Sequence, residues 1–190
     1  MHVADSLSGV EVEPLRGARR IADVGAGAGF PGLVLAIALP AARVDLLEGS
    51  QRKGAVIGRL AAAARVENAR TIVTRAEEWA ALPPAAGGGR EAYDAVTARA
   101  VAPLAVLIEY AAPLLRTGGL LVAWKGARDP KEELGGQAAA GELAMAVEEV
   151  RRVVPFEGAR RRHLHLVRKV AATPKGFPRR PGMARKRPLG

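Results

Sequence analysis

A short apolar run, Arg20-Ile-Ala-Asp-Val24, gives way to Gly25-Ala-Gly27-Ala-Gly29-Phe-Pro-Gly32, and a second apolar stretch then reaches Leu39. Few folds accommodate this order. The first run reads as a buried strand, the glycines as a tight turn that lets a ligand approach the backbone, and Phe30 to Leu39 as a helix with Pro31 in its first turn. A strand that turns through glycines into a helix is the opening unit of an α/β domain with a parallel sheet.

The pattern continues along the chain. Arg43 to Leu47 reads as a second strand, and Ser50 caps a helix running to about Val66. Arg70 to Val73 and Tyr93 to Thr97 read as strands, with a loop at Pro83 to Gly89. A helix follows from Pro103 to Leu115, then a turn at Thr117-Gly-Gly119 and a strand from Leu120 to Trp124. Asp129 to Val150 reads as a helix interrupted at Gly135 and Gly136. Val150 to Phe156 and His163 to Val170 form a closing hairpin at one sheet edge. Met1 to Gly9 lacks the apolar core of a signal peptide, and no apolar stretch is long enough to span a bilayer. The chain reads as cytoplasmic.

With 190 residues, 49% hydrophobic and 25% charged, the chain reads as one globular domain over residues 1–170 and a C-terminal arm over residues 171–190. There is no cysteine, which excludes a disulfide framework, a thiolate metal site and a thiol nucleophile. No metal-ligand cluster stands out. The net charge of +10 is localised: eleven of the 29 basic residues lie between Gly158 and Gly190, a stretch without an acid. Such a segment suits a polyanion, nucleic acid ahead of a membrane surface. The arm has four prolines and three glycines, too little apolar surface for a core of its own, and is ordered only by docking.

The glycine spacing separates two cofactor classes. Dinucleotide enzymes rest a pyrophosphate on G-x-G-x-x-G at a helix start. Here the spacing is G-x-G-x-G with Asp23 just before it, an acid that repels pyrophosphate and suits the ammonium of S-adenosylmethionine. Glu48, at the end of the second strand, can accept both ribose hydroxyls. Arg75 follows the third strand, Arg99 the fourth and Lys125 the fifth. Three cations on one rim make a basic mouth for phosphate. His163 and His165 sit at strand spacing as structural residues, and His2 is a local hydrogen-bonding group.

His2-Val-Ala-Asp5-Ser6-Leu7, the glycine segment from Asp23 to Gly32, Arg75-Ala-Glu77, Thr97-Ala-Arg99-Ala-Val101-Ala, Lys125-Gly126, Phe177-Pro-Arg-Arg-Pro-Gly182 and Lys186-Arg-Pro-Leu189 together resemble the RsmG (GidB) family of bacterial 16S ribosomal RNA guanine-N7 methyltransferases. The resemblance spans nearly the whole chain, and the sequence begins where the family carries a further helical segment. It implies a Rossmann-like class I methyltransferase: a mostly parallel sheet, helices on both faces and an antiparallel C-terminal edge. It implies cofactor contacts at Gly25, Phe30, Ala76, Glu77 and Arg99, beside Asp23, Gly27 and Glu48 read from the residues. Glu48 stands where the family commonly has Asp. Arg99 and Lys125 are the candidates for positioning the target base, with no general base. Arg75, Lys125, Arg179, Arg180, Lys186 and Arg187 would face the RNA. The implied partner is 16S ribosomal RNA or the small subunit, met by a monomer. A non-methylating nucleic-acid binder and a small-molecule methyltransferase remain open at this point.

Overall fold

The computed structural model describes residues 1–190. The chain runs α1 (His2–Leu7), a 3-10 turn (Ser8–Glu11), α2 (Glu13–Arg16), β1 (Arg20–Val24), α3 (Gly32–Ala38), β2 (Arg43–Leu47), α4 (Gln51–Ala63), β3 (Ala69–Ile72), α5 (Ala76–Ala81), β4 (Tyr93–Arg99), α6 (Leu104–Ala111), β5 (Leu115–Lys125), α7 (Pro130–Glu142), β6 (Met145–Val153), β7 (Arg162–Lys169) and α8 (Met183–Lys186). The seven strands form one sheet in the order β3-β2-β1-β4-β5-β7-β6. The first five run parallel, while β7 enters antiparallel between β5 and β6. This is the expected mostly parallel sheet with an antiparallel edge.

The central strands carry buried apolar residues on both sides, such as Ile21 and Ala22 in β1, Ala95 and Val96 in β4 and Leu120 to Trp124 in β5, because both sheet faces are covered there. One face packs under α5, α6 and α7 in a cluster of 24 buried residues; the other packs under α2, α3 and α4 in a cluster of 20. Ser50 caps α4 as expected, its Oγ accepting from the Lys53 N–H at 3.4 Å. No helix is long and apolar enough to cross a membrane.

Two local expectations need correction, at α7 and at β5, and the N-terminal residues, for which no element was expected, fold into α1, the 3-10 turn and α2. They are held by the Trp124 indole N–H, which donates to the Asp5 carbonyl at 2.8 Å and to Ser8 Oγ at 3.2 Å. Gly135 and Gly136 do not interrupt α7: Gly136 lies where a Cβ would come within 2.6 Å of Leu104, so its missing side chain lets α7 close on α6. The helix stops at Glu142, and Met145 begins a strand. The turn expected at Thr117-Gly-Gly119 is absorbed into β5 as an irregularity, with a register shift between Tyr93 and Ala95 and Gly118 at φ +82°.

The C-terminal arm is docked. Residues 171–190 lie against the domain, with Ala184 1% exposed. Thr173 donates through its N–H and its hydroxyl to the Glu91 carboxylate at 2.7 and 2.8 Å. Arg90 donates to the Phe177 carbonyl at 3.0 Å. Arg179 pairs through both nitrogens of its fork with Glu109, a carboxylate on α6 that is 2% exposed.

Candidate active site

The carboxyl ends of β1, β2, β3, β4 and β5 open into one cavity of about 1050 Å³. The glycine loop forms its floor. The Gly25 and Ala26 N–H groups donate to the Leu47 carbonyl at 2.9 and 3.1 Å, which ties the loop to the end of β2. Gly25 has φ +67°, and a Cβ there would lie 2.8 Å from Val101, so only glycine fits. Glu48 braces the same loop: its two oxygens accept from the Gly27 N–H at 3.1 Å and the Ser50 N–H at 2.9 Å. A carboxylate has about four acceptor sites, so capacity for a diol remains.

Asp23 does not take the role expected of it. It is fully buried beneath the loop and does not line the cavity. One oxygen accepts from the Gly32 N–H at 3.0 Å, the other from the Thr97 hydroxyl at 2.8 Å. Burial raises its pKa to about 7, with the bonds from Thr97 and Gly32 and the Arg99 charge drawing it down. Asp23 is therefore a staple between β1, β4 and the start of α3. A Cβ on Gly32 would sit 2.3 Å from Leu46 and 2.7 Å from Asp23 Oδ2, so the staple also requires that glycine.

The other expected cofactor residues, Gly25, Gly27, Phe30, Glu48, Ala76, Glu77 and Arg99, all line the cavity. Phe30 sits between two groups: the His2 ring at 5.7 Å and the Arg99 guanidinium at 5.4 Å. Arg99 also donates to Asp5 Oδ2 at 3.0 Å, linking the end of β4 to α1. Glu77 is 7% exposed, and one of its oxygens accepts from the Gly182 N–H at 2.8 Å.

The expected basic mouth is only partly free. Arg75 is exposed on the rim. Lys125 lines the cavity, but its ammonium pairs with Glu132 and donates to the Ala102 carbonyl at 3.1 Å. Glu132 in turn accepts from the Leu104 N–H at 2.7 Å, so Lys125 fixes the start of α6. Arg179 is spent on Glu109, whereas Arg180, Lys186 and Arg187 are exposed. His163 lines the cavity, with its Nδ1 2.8 Å from the Gly126 carbonyl oxygen. His165 is buried beside Glu133 at 3.3 Å, as a structural residue would be.

Residues outside the expected set also reach the cavity: Asp5, Lys53, Phe156, Arg162 and Arg185. Asp5 lay within a motif without an assigned role. Arg162 was legible only as part of a basic run.

The family model for rRNA small subunit methyltransferase G matches residues 1–165. The chain belongs to that family. It is 42% identical to the ribosomal RNA small subunit methyltransferase G of Symbiobacterium thermophilum, over 99% of this chain and 77% of that one. It is 41% identical to the protein of the same name from Rubrobacter xylanophilus, over 99% and 72%. Among solved structures, an S-adenosylmethionine-dependent O-methyltransferase from Thermotoga maritima superimposes with a TM-score of 0.66 at 18% identity, covering 90% of this chain and 66% of that one. That likeness speaks for the fold alone.

The family and fold are those of enzymes that use S-adenosylmethionine. The cavity fits that molecule in donor chemistry as well as in size. Glu48 can take a ribose diol, and Glu77 has a second oxygen with no partner in the chain, able to accept from an adenine amino group. Arg99 offers a cation to a carboxylate beside the glycine loop.

Proposed function

We propose that this chain transfers a methyl group from S-adenosylmethionine to N7 of a guanine in 16S ribosomal RNA. The observation that carries the reading is that one cavity is lined by both groups of residues such a reaction needs. We assign Gly25, Glu48 and Glu77 to a nucleoside half, and Lys125, Phe156, Arg162 and His163 to an acceptor half. The family's name points to small-subunit ribosomal RNA, and the resemblance of the motifs supplies guanine N7.

S-adenosylmethionine supplies a methyl group on a sulfonium, open to in-line displacement by the N7 lone pair. N7 carries that lone pair in the neutral base, so the protein has no proton to remove. The work left to the chain is positioning. Glu48 and Glu77 hold the nucleoside. Arg99, fixed by Asp5 and Phe30, lies between the two halves, with donors that suit guanine O6 beside N7. Lys125 acts from behind, by fixing the start of α6. Arg75, Arg180, Lys186 and Arg187 supply phosphate contacts. A target in an unpaired or remodelled loop suits this site, because the major groove of an A-form helix is too narrow to admit it. The substrate puts the activity in the cytoplasm, and one copy of the chain carries the whole cavity, as a monomer requires.

The test is methyl transfer from labelled S-adenosylmethionine to 16S ribosomal RNA and to small subunits from cells lacking the modification. Label recovered as N7-methylguanine is the expected result. Cofactor binding without transfer to either RNA substrate would favour a different acceptor.

A further inference from the structure

Glu109 is an acid at 2% exposure on α6, a helix buried along its whole length, and its counter-charge comes from Arg179, 70 residues later, in the C-terminal segment. Pulling that segment away would leave a buried carboxylate unpaired, so the docked state is built into the domain. Beyond Arg179 the segment crosses the mouth of the cavity, and Gly182 and Arg185 are part of its wall. Both touch groups that shape the cofactor half. The Gly182 N–H donates to Glu77 Oε1 at 2.8 Å, which leaves Oε2 for a ligand. Arg185 donates to the Val101 carbonyl at 2.9 Å, and Val101 is the residue whose side chain packs where a Gly25 Cβ would stand.

We propose that residues 171–190 are a strap that belongs to the cofactor site: Gly182 positions Glu77, Arg185 positions Val101 against the glycine loop, and the Arg179–Glu109 pair holds the strap in place. Arg179, Gly182 and Arg185 are thus positioning residues for cofactor binding, and the exposed Arg180, Lys186 and Arg187 of the same segment are the ones left for RNA. A ligand that prefers the docked strap must, by linkage, also stabilise its docking. The two faces of the strap divide the labour: the inner face holds the cofactor wall, and the outer face meets phosphate.

This inference rests on the cofactor reading above, and hydrogen exchange separates the two. The full chain is labelled with and without S-adenosylhomocysteine, a stable probe of the cofactor site, with no RNA present. Slowed exchange both in the glycine loop and across residues 176–187 is the expected result. Protection of the loop with an unchanged strap would overturn the strap and leave the cofactor reading standing. No protection in either segment, with no heat of binding, would overturn both. A second arm uses variants. Arg179→Gln strands Glu109 and is expected to weaken S-adenosylhomocysteine binding about tenfold, a size common for coupled sites. Adding Glu109→Gln makes a neutral amide pair and is expected to restore most of the affinity. Unchanged affinity in Arg179→Gln would overturn the proposal.

Discussion

Replacing Asp23 with asparagine should make this protein more stable, and increasingly so as pH rises. Asp23 is fully buried, and desolvation lifts its pKa from 3.8 to about 7. Below that value the native state holds a proton that the unfolded chain releases near the ordinary carboxylate pKa. In the window between, the native state binds more protons than the unfolded state, so wild-type stability falls as pH rises. The window spans about three units at about 1.4 kcal/mol each, on the order of 4 kcal/mol in full. Asparagine has the same shape and no proton to lose. Its amide oxygen can accept from the Gly32 N–H, and its NH2 can donate to Thr97 Oγ1, whose own proton is free to rotate. Urea unfolding of both proteins from pH 4 to 8.5 gives the test, read as the difference between them. That difference removes the groups the two proteins share, among them Glu133, held down to about 2 chiefly by Arg128, and His165, lowered chiefly by burial, whose contributions run the opposite way. The gain of Asp23→Asn should climb from pH 4 to about 7 and level off above it. A difference that stays flat across the range would refute the claim that burial governs this carboxyl.

Gly25→Asp should abolish S-adenosylmethionine binding in titration calorimetry while the far-ultraviolet spectrum stays native, because a side chain at φ +67° meets Val101; retained affinity would argue against the loop as the cofactor floor. Gly32→Ala should lower stability by about 1–3 kcal/mol in denaturant melts, the usual cost of forcing an atom into a packed site, since Leu46 and the Asp23 staple both crowd its Cβ. Replacing Arg180, Lys186 and Arg187 together with alanine should flatten the salt dependence of RNA binding by up to about three units of log–log slope, read by filter binding at several salt concentrations. Lys125→Met should lower thermal stability and leave that slope unchanged, because its charge is already matched by Glu132.

The alternation of apolar runs with glycine and proline breaks was enough to read β1 through β4, since each is short, apolar and bounded by a turn. The N-terminal elements were not legible, because helices of four to six residues carry no period, and what orders them is the Trp124 indole more than a hundred residues away. The glycine pair in α7 misled for a related reason: propensity argued for a break, but close packing against Leu104 rewards the absence of a side chain. Site residues followed the same division. Gly25, Glu48 and Glu77 were expected at strand ends, and the structure places all three in the wall of one cavity. Asp23, Lys125 and Arg179 were expected to meet ligands, and each has a partner within the chain that was not legible, since a sequence shows a charge but not the distant group beside it.

The position of β7 between β5 and β6 has a consequence for how the protein is made. Once β5 has been made, its run of buried residues from Leu120 to Trp124 has one edge covered by β4 and the other bare. Its missing neighbour follows about forty residues later in the chain and pairs with it along Leu120–Lys125 only once residues 163–168 have emerged. Until then the nascent chain presents an apolar strand edge of the kind that recruits other chains. A chain cut short before Arg162 should therefore be not a smaller working domain but an aggregating product, one that quality control has to clear.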